Sequence, residues 1–223
     1  MLSRRGGAVA GIALALLWAP IALVIAEFPN LGSADAISSF YAEHAEAMKV
    51  ILASVSLGFI PLLIFLGAFI AELGSRGSGW TWTALASALM FMTALCVALG
   101  LDATAVLLFQ RVSPETVWTL HSAAFLLAAP AAGAGTTFFV AVGALTFAAN
   151  AGPRSLGWLA VLGALINLAA LGGFFSLTGV PNSGNGLLGG LAGPIGIWLV
   201  WIVAVSVTWL RNPQPGARAG RAL

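Results

Sequence analysis

Residues 47–71, AMKVILASVSLGFIPLLIFLGAFIA, form an apolar stretch interrupted by one charged side chain, that of Lys49. About 20 helical residues suffice to cross a hydrocarbon core about 30 Å thick. Backbone groups cannot stay unpaired in lipid, and the stretch lacks the alternating polarity of a barrel strand. It therefore predicts a membrane-spanning α-helix.

Five further stretches share this character, so the chain predicts an all-α polytopic membrane protein with six transmembrane helices. The spans are predicted at residues 7–26, 47–71, 80–109, 116–149, 156–179 and 188–210. We expect residues 1–211 to form a single six-helix transmembrane domain. Residues 212–223 contain Pro, Gly and Arg and predict a short disordered cytoplasmic tail.

The composition supports a membrane protein and excludes other classes. Of the 223 residues, 60% are hydrophobic and 7% are charged, whereas an average soluble domain carries about 25% charged residues. The net charge of +2 is too small for electrostatic binding of nucleic acid phosphates, so no nucleic acid partner is expected. Membrane lipid is the expected partner. A small-molecule or ion ligand, a membrane-protein partner and a homo-oligomer stay open.

The basic residues predict the orientation of the six helices. A cytoplasmic N-terminus leaves two of them, Lys49 and Arg111, on the outer side and places the other seven inside. This distribution satisfies the positive-inside rule, so both termini are expected in the cytoplasm. The seven are Arg4, Arg5, Arg76, Arg154, Arg211, Arg218 and Arg221.

A short internal repeat suggests that two helical hairpins correspond. The motif R-x-x-G-W occurs at residues 76–80 and again at residues 154–158, at the start of spans three and five. His44 and His121 precede these motifs at nearly equal distances. We interpret spans 2–3 and spans 4–5 as a degenerate parallel repeat.

Asp102 is the charged residue that the predicted topology does not explain. The residues three, four and seven positions away from it on the same helix are apolar. An aspartate at the centre of a membrane helix costs about 2.5–3.5 kcal/mol, and less toward an interface, so the side chain should face protein, water or a partner. Two interpretations stay open, namely a carboxyl group satisfied by a neighbouring hydroxyl and a functional group.

His121 is the predicted partner of Asp102. The two residues lie on either side of the same outer turn, nine residues before Arg111 and eight residues after Ser113. At about 1.5 Å per residue, both are about 12–14 Å from that turn. Antiparallel neighbouring helices would place them at one depth. We predict a catalytic or ligand-binding site at Asp102 and His121, suited to proton exchange or to orienting a ligand.

His44 joins this pair as a candidate ligand-binding residue. Such apolar helical stripes pack on a bundle or a membrane surface more often than they bind a ligand. The stripe of His44 also contains Ile37, Phe40, Tyr41, Ala45 and Met48. Two histidines and a carboxylate suit zinc or non-haem iron, and two histidines suit haem. The chain has no H-x-x-x-H or H-E-x-x-H motif. No metal site is therefore assigned, and the cofactor is left unknown.

Glycines and a proline predict where helices bend or approach closely. Span four is too long for a straight crossing, and Pro130, followed by Gly133 and Gly135, predicts a break near its middle. Gly7 and Gly11, like the G-x-x-x-G pairs of residues 186–193, predict close contact between helices.

The organisation resembles a broad group of uncharacterised bacterial six-helix membrane proteins, classed as a domain of unknown function. The resemblance is carried by the arginine-bearing N-terminus running into Ala10–Ile12, by Asp35–Ala36 in an acidic outer loop, and by Leu156–Trp158 after a cytoplasmic arginine. It implies a compact protein of the bacterial plasma membrane. It transfers no catalytic residue, because the group has no settled activity.

Three functions follow from these observations. The first is binding or transport of a small molecule or ion through an outer-side cavity near Asp102 and His121. The second is a membrane-embedded enzyme acting on a lipid or isoprenoid-like substrate, with Asp102 as acid or base. The third is an accessory or assembly subunit of a membrane complex. A lateral opening lined by apolar residues would favour a lipid-like ligand, and an axial polar path would favour transport.

Overall fold

Seven α-helices and one 3₁₀ turn make up the regular structure of this computed structural model, which describes residues 3–24, 27–74, 79–148, 152–189 and 193–212. No strand occurs within these ranges, so the predicted all-α class is confirmed. The elements are α1 (Arg4–Val24), α2 (Ala34–Gly74), α3 (Gly79–Leu108), α4 (Pro114–Leu126), α5 (Ala128–Ala148), α6 (Arg154–Ala170), the 3₁₀ turn Leu171–Phe174 and α7 (Pro194–Arg211).

Several helices are long and apolar enough to cross a membrane. Five such segments are Ala34–Leu73, Gly79–Leu108, Pro114–Ala148, Arg154–Phe174 and Pro194–Arg211. The 21-residue helix α1 adds a further apolar helix, which carries no charge after Arg5. The fold is therefore compatible with a multi-pass membrane protein.

Two predicted span boundaries were wrong. Helix α6 ends at Ala170 instead of residue 179, because Gly172 and Gly173 follow and the chain tightens into the 3₁₀ turn. Helix α7 begins at Pro194 instead of residue 188. Residues 187–189 form turns, so the glycines at 186 and 189 belong to a loop and not to the helix contact that their spacing predicted.

The predicted break in span four lies at Leu127, between α4 and α5. Pro130 has no backbone N–H, so the carbonyl group of Leu126 lacks its usual donor four residues later. The interruption lasts one residue, and the Ala131 amide again donates to the Leu127 carbonyl oxygen at 3.2 Å. Proline chemistry therefore breaks the helix one turn before the proline itself.

The predicted close approach at Gly7 and Gly11 is confirmed. Helix α1 packs against both α2 and α7. A Cβ atom at Gly7 would meet the ring of Trp209 at 2.8 Å, and one at Gly11 would overlap the Ser206 hydroxyl. These glycines let the three helices touch within one chain.

Arginine-bearing helix ends gather at one end of the bundle, as the topology prediction requires. The start of α1, the start of α6 and the end of α7 meet around one cavity, which Arg4, Pro153 and Asn212 help to line. Arg4 donates two hydrogen bonds to the Glu72 carboxylate at the end of α2, one of them at 2.8 Å. Of the predicted tail at residues 212–223, residues 213–223 lie outside the described residues.

The hairpin repeat stays a prediction. The first three residues of its first motif, 76–78, lie outside the described residues. Helix α2 is continuous over 41 residues, whereas its proposed counterpart is divided into α4 and α5.

Candidate functional site

The turn between α3 and α4 brings Asp102 and His121 together. Ser113 caps α4, since its hydroxyl accepts a hydrogen bond from the Thr116 amide at 3.4 Å, and Pro114 supplies the first helical position. The two helices then run antiparallel. His121 Nδ1 lies 3.3 Å from Asp102 Oδ1, so the predicted neighbours are in contact.

A third side chain, Tyr41 of α2, completes what we call the Asp102 cluster, made up of Tyr41, Asp102 and His121. The Tyr41 hydroxyl donates a hydrogen bond to Asp102 Oδ1 and lies 2.7 Å from His121 Nδ1. Tyr41 and His121 are fully buried, and Asp102 is 6% exposed. One hydroxyl group thus bridges an acid and an imidazole inside the bundle.

The heavy-atom positions suit one simple arrangement of hydrogen bonds in the cluster. With the Tyr41 hydroxyl donating to Asp102, the bond between Tyr41 and His121 is completed by a hydrogen on Nδ1 of His121. An additional proton on Nε2 would be a buried N–H group, and Nε2 has no hydrogen-bond partner among the described residues. This arrangement gives one hydrogen to each bond, from Tyr41 to Asp102 and from His121 to Tyr41.

Aromatic rings enclose the imidazole of His121. The Phe125 ring centroid lies 4.5 Å from it, and Phe28, from the segment between α1 and α2, approaches at 6.4 Å with nearly perpendicular planes. Phe28 is 2% exposed and also contacts Phe125. Phe28 and Phe125 therefore cover the His121 ring, and an opening of the site to the outer side stays a prediction.

Asp102 lines an apolar cleft between the helices, whereas His121 lies behind it. The cavity volume is about 50 Å³. A cavity needs about 10–15 Å³ to hold a water molecule, so the cleft is large enough for one or two. Its lining residues are Trp18, Ile21, Val55, Ala94, Leu95, Ala98, Leu99, Asp102, Ala124, Phe125, Leu127 and Ile195. Two of these residues, Asp102 and Trp18, have polar side-chain atoms. The indole N–H of Trp18 donates to the Val55 carbonyl oxygen.

His44 does not join the Asp102 cluster. Its Nε2 atom lies 3.8 Å from carboxylate oxygens of Glu27 and Glu43, its side chain is 32% exposed, and its ring packs on Phe40. Within the described ranges, no group of three His, Cys, Asp or Glu side chains lies close enough to hold a metal ion. The described residues therefore do not bring together the ligand set of His44, His121 and Asp102.

Tyr41 was missed as a site residue, although the sequence held a signal for it. It is the sole tyrosine of the chain and lies on the same apolar stripe as His44. In the structure that stripe is buried at Ile37, Tyr41 and Met48, whereas His44 lies at its edge. The polar side chain at the centre of the stripe was the better candidate.

Comparisons of the chain with protein-family models, with curated proteins and with solved structures gave no match.

Proposed function

We propose that this protein is an integral membrane protein that binds an amphiphile with a hydrogen-bond-donating head group and an apolar chain. The head group contacts Asp102, and the chain begins in the apolar cleft. The observation that carries the proposal is a nearly buried carboxylate, held by Tyr41 and His121, in the lining of a cleft that is otherwise apolar.

Large apolar side chains on the outside of the helices support the membrane location. Leu16, Ile60 and Met90 are exposed by 71%, 61% and 64%, and many similar residues accompany them. In water such a surface would favour aggregation, whereas in lipid it is the expected one. With the arginine-bearing end inside, Asp102 belongs to the outer half of the membrane.

The depth of Asp102 suits a ligand whose head group stays at the membrane surface. Asp102 lies 23 residues along α3 from Gly79, or about 35 Å at 1.5 Å per residue. That distance matches a hydrocarbon core of about 30 Å crossed with some tilt. The cleft follows α3 from Asp102 back to Ala94, toward the membrane interior. An amphiphile bound there keeps the orientation that it has in the bilayer.

The charge of the cluster selects the head group. Both contacts of Asp102 within the cluster involve Oδ1, so Oδ2 is the oxygen offered to a ligand. No basic side chain of the described residues lines the cleft, so Asp102 gives the site an acidic character in apolar surroundings. A hydroxyl or ammonium group complements it, whereas a carboxylate would be repelled. A hydrated ion is less suited, because apolar side chains cannot replace its water.

Native mass spectrometry of the protein released from lipid nanodiscs tests this function, with dodecylamine, dodecanol and dodecanoate as probes. We expect one bound molecule of the amine or the alcohol, and none of the carboxylate. Asp102→Asn should weaken amine binding by about tenfold or more, the factor of one hydrogen bond to a charged group. Asp35→Asn is the matched control, since Asp35 is exposed in the first turn of α2. Equal binding of amine and carboxylate, or unchanged binding by Asp102→Asn, would refute the proposal.

An enzymatic role is the second candidate, because Asp102 can act as a general base in the cleft. It would take up and hold a substrate proton on its carboxylate, while Tyr41 and His121 keep that carboxylate in position. Chemical analysis of a lipid extract after incubation with the protein tests this role. A product formed by the wild type and absent with folded Asp102→Asn would establish an enzyme.

The structure offers little support for an assembly subunit that docks through its glycine-rich helices. Gly7 and Gly11 already face α2 and α7 of the same chain. The glycines of residues 186–189 face the backbone of Pro181 and Asn182 within their own loop. These surfaces are occupied by the chain itself.

A further inference from the structure

We infer that the chain of the bound amphiphile passes between α2 and α3 and lies in a groove on the lipid-facing side of these helices. This inference rests on the proposed function and deepens it, since it makes the ligand a long-chain molecule that the protein takes sideways from the membrane. The groove has α2 on one side and α3 on the other. Its side chains include Ala53, Ser56 and Phe59 from α2 and Cys96, Gly100 and Ala103 from α3.

The groove and the cleft adjoin each other. Leu99 lines both of them, with the cleft on one side and the groove on the other. Phe59 of the groove packs edge-on against Trp18 of the cleft, with ring centroids 5.9 Å apart. The boundary between the two spaces is therefore made of side chains. The Leu99 side chain is half-buried and has no hydrogen-bonding group. A rotamer change there requires no loss of backbone structure.

The sizes of the two spaces indicate why a chain would use both. The cleft volume is about 50 Å³, whereas the groove volume is about 570 Å³. The cleft has room for a head group at Asp102, and the rest of a long chain must lie elsewhere. The groove is the adjoining space, so a chain leaving the cleft beside Leu99 enters it directly.

The chemistry of the groove suits an acyl or isoprenoid-type chain. Small side chains, at Ala53, Gly100 and Ala103, leave a trough between the helices, and a Cβ atom at Gly100 would have open space around it. Lys49 lies at one end of the groove but is paired with Glu46 at 2.6 Å. The groove therefore presents no unpaired charge to a hydrocarbon chain along its described length.

Two photoreactive hexadecylamines test the inference in nanodiscs, one with a diazirine near the amine and one with a diazirine at the chain end. The near-amine probe should label Trp18 and Ala124, which line the cleft alone. The chain-end probe should label the groove at Ser56 and Ala103. Free probe in the bilayer also reaches a lipid-facing groove. The signal is therefore the labelling of the wild type in excess of the labelling of Asp102→Asn. We expect an excess of about tenfold, as for loss of one hydrogen bond to a charged group.

Filling the groove should displace the chain end. Gly100→Leu places a side chain in the trough, and the chain-end label should fall to the level of Asp102→Asn. Gly133→Leu is the matched control, because a Cβ atom there also has open space but lies outside the groove. Alkylation of Cys96, which is exposed in the groove and is the sole cysteine, gives the same obstruction in already folded wild-type protein.

The outcomes separate this inference from the proposed function. Absence of Asp102-dependent labelling by the near-amine probe would remove the function itself. Labelling of the cleft by both probes would keep the function and overturn the groove. Chain-end labelling that survives both Gly100→Leu and alkylation of Cys96 would likewise keep the function and overturn the groove. Protection of Cys96 from alkylation together with a crosslinked dimer would assign the groove to a second copy of the chain, which also overturns the inference.

Discussion

Removal of the Tyr41 hydroxyl is the perturbation whose effect the structure defines most fully. Tyr41→Phe keeps the ring, which packs at 5.5 Å from that of His121, and removes one oxygen atom. The lost hydroxyl group donates to a carboxylate and is hydrogen-bonded to an imidazole nitrogen. The substitution therefore tests the hydrogen bonds of the cluster with little change in volume.

The expected loss of stability follows from the kind of bond removed. A hydrogen bond to a charged group contributes about 1.5–3 kcal/mol. His121 Nδ1 already lies 3.3 Å from Asp102 Oδ1 and can replace part of the lost contact with the carboxylate. The stability loss expected for Tyr41→Phe is therefore near the lower end of this range, at about 1.5–2 kcal/mol. For a protein of this size, that corresponds to a fall in Tm of about 3–8 °C.

Reversible unfolding in mixed micelles or bicelles measures this loss. Ser54→Ala is the matched control, since the Ser54 hydroxyl donates to the Leu17 carbonyl oxygen across the α1–α2 interface at 2.6 Å. That bond joins neutral groups, and such bonds between membrane helices average about 0.6 kcal/mol. The double variant with Asp102→Asn completes a cycle. A Tyr41→Phe loss no larger than that of Ser54→Ala, or no coupling to Asp102, would refute the reasoning.

Three further predictions concern other contacts of the bundle. Gly11→Leu should prevent close contact of α1 with its neighbours and lower stability by more than about 2 kcal/mol in the same unfolding assay; a neutral effect would contradict the packing. Arg4→Gln leaves the half-buried Glu72 without its arginine and should cost about 1 kcal/mol after allowance for solvent, measured in a cycle with Glu72→Gln; additive single effects would contradict the ion pair. Phe28→Ala should open the outer cover of His121, which hydrogen–deuterium exchange of the α4 backbone would detect as faster exchange.

The helices could be predicted from the sequence because long apolar stretches specify them almost alone. Asp102 and His121 could be paired by counting residues from their shared turn, since the rise per residue of a helix is constant. Their angular positions could not be counted in this way. The contact at 3.3 Å depends on how α3 and α4 rotate against each other.

Tyr41 and the cleft show the limit of such counting. Tyr41 reaches Asp102 across 61 positions of sequence, and nothing in the spacing separates it from His44, which lies one turn later on the same helix. Which of the two faces inward depends on the tilt of α2. The cleft needs side chains from five helices, so its apolar lining appears only once these helices are packed.

Nitrogen-15 NMR of the two histidine side chains tests the central claim most directly, because the chain contains only His44 and His121 and the variant His44→Gln assigns both. In nanodiscs we predict a hydrogen on Nδ1 of His121, in the bond to Tyr41. Dodecylamine should shift the His121 signals through Asp102, leave those of His44 unchanged, and have no effect in Asp102→Asn. A His121 Nδ1 without a hydrogen, or the same His121 shifts with dodecanoate, would contradict the account.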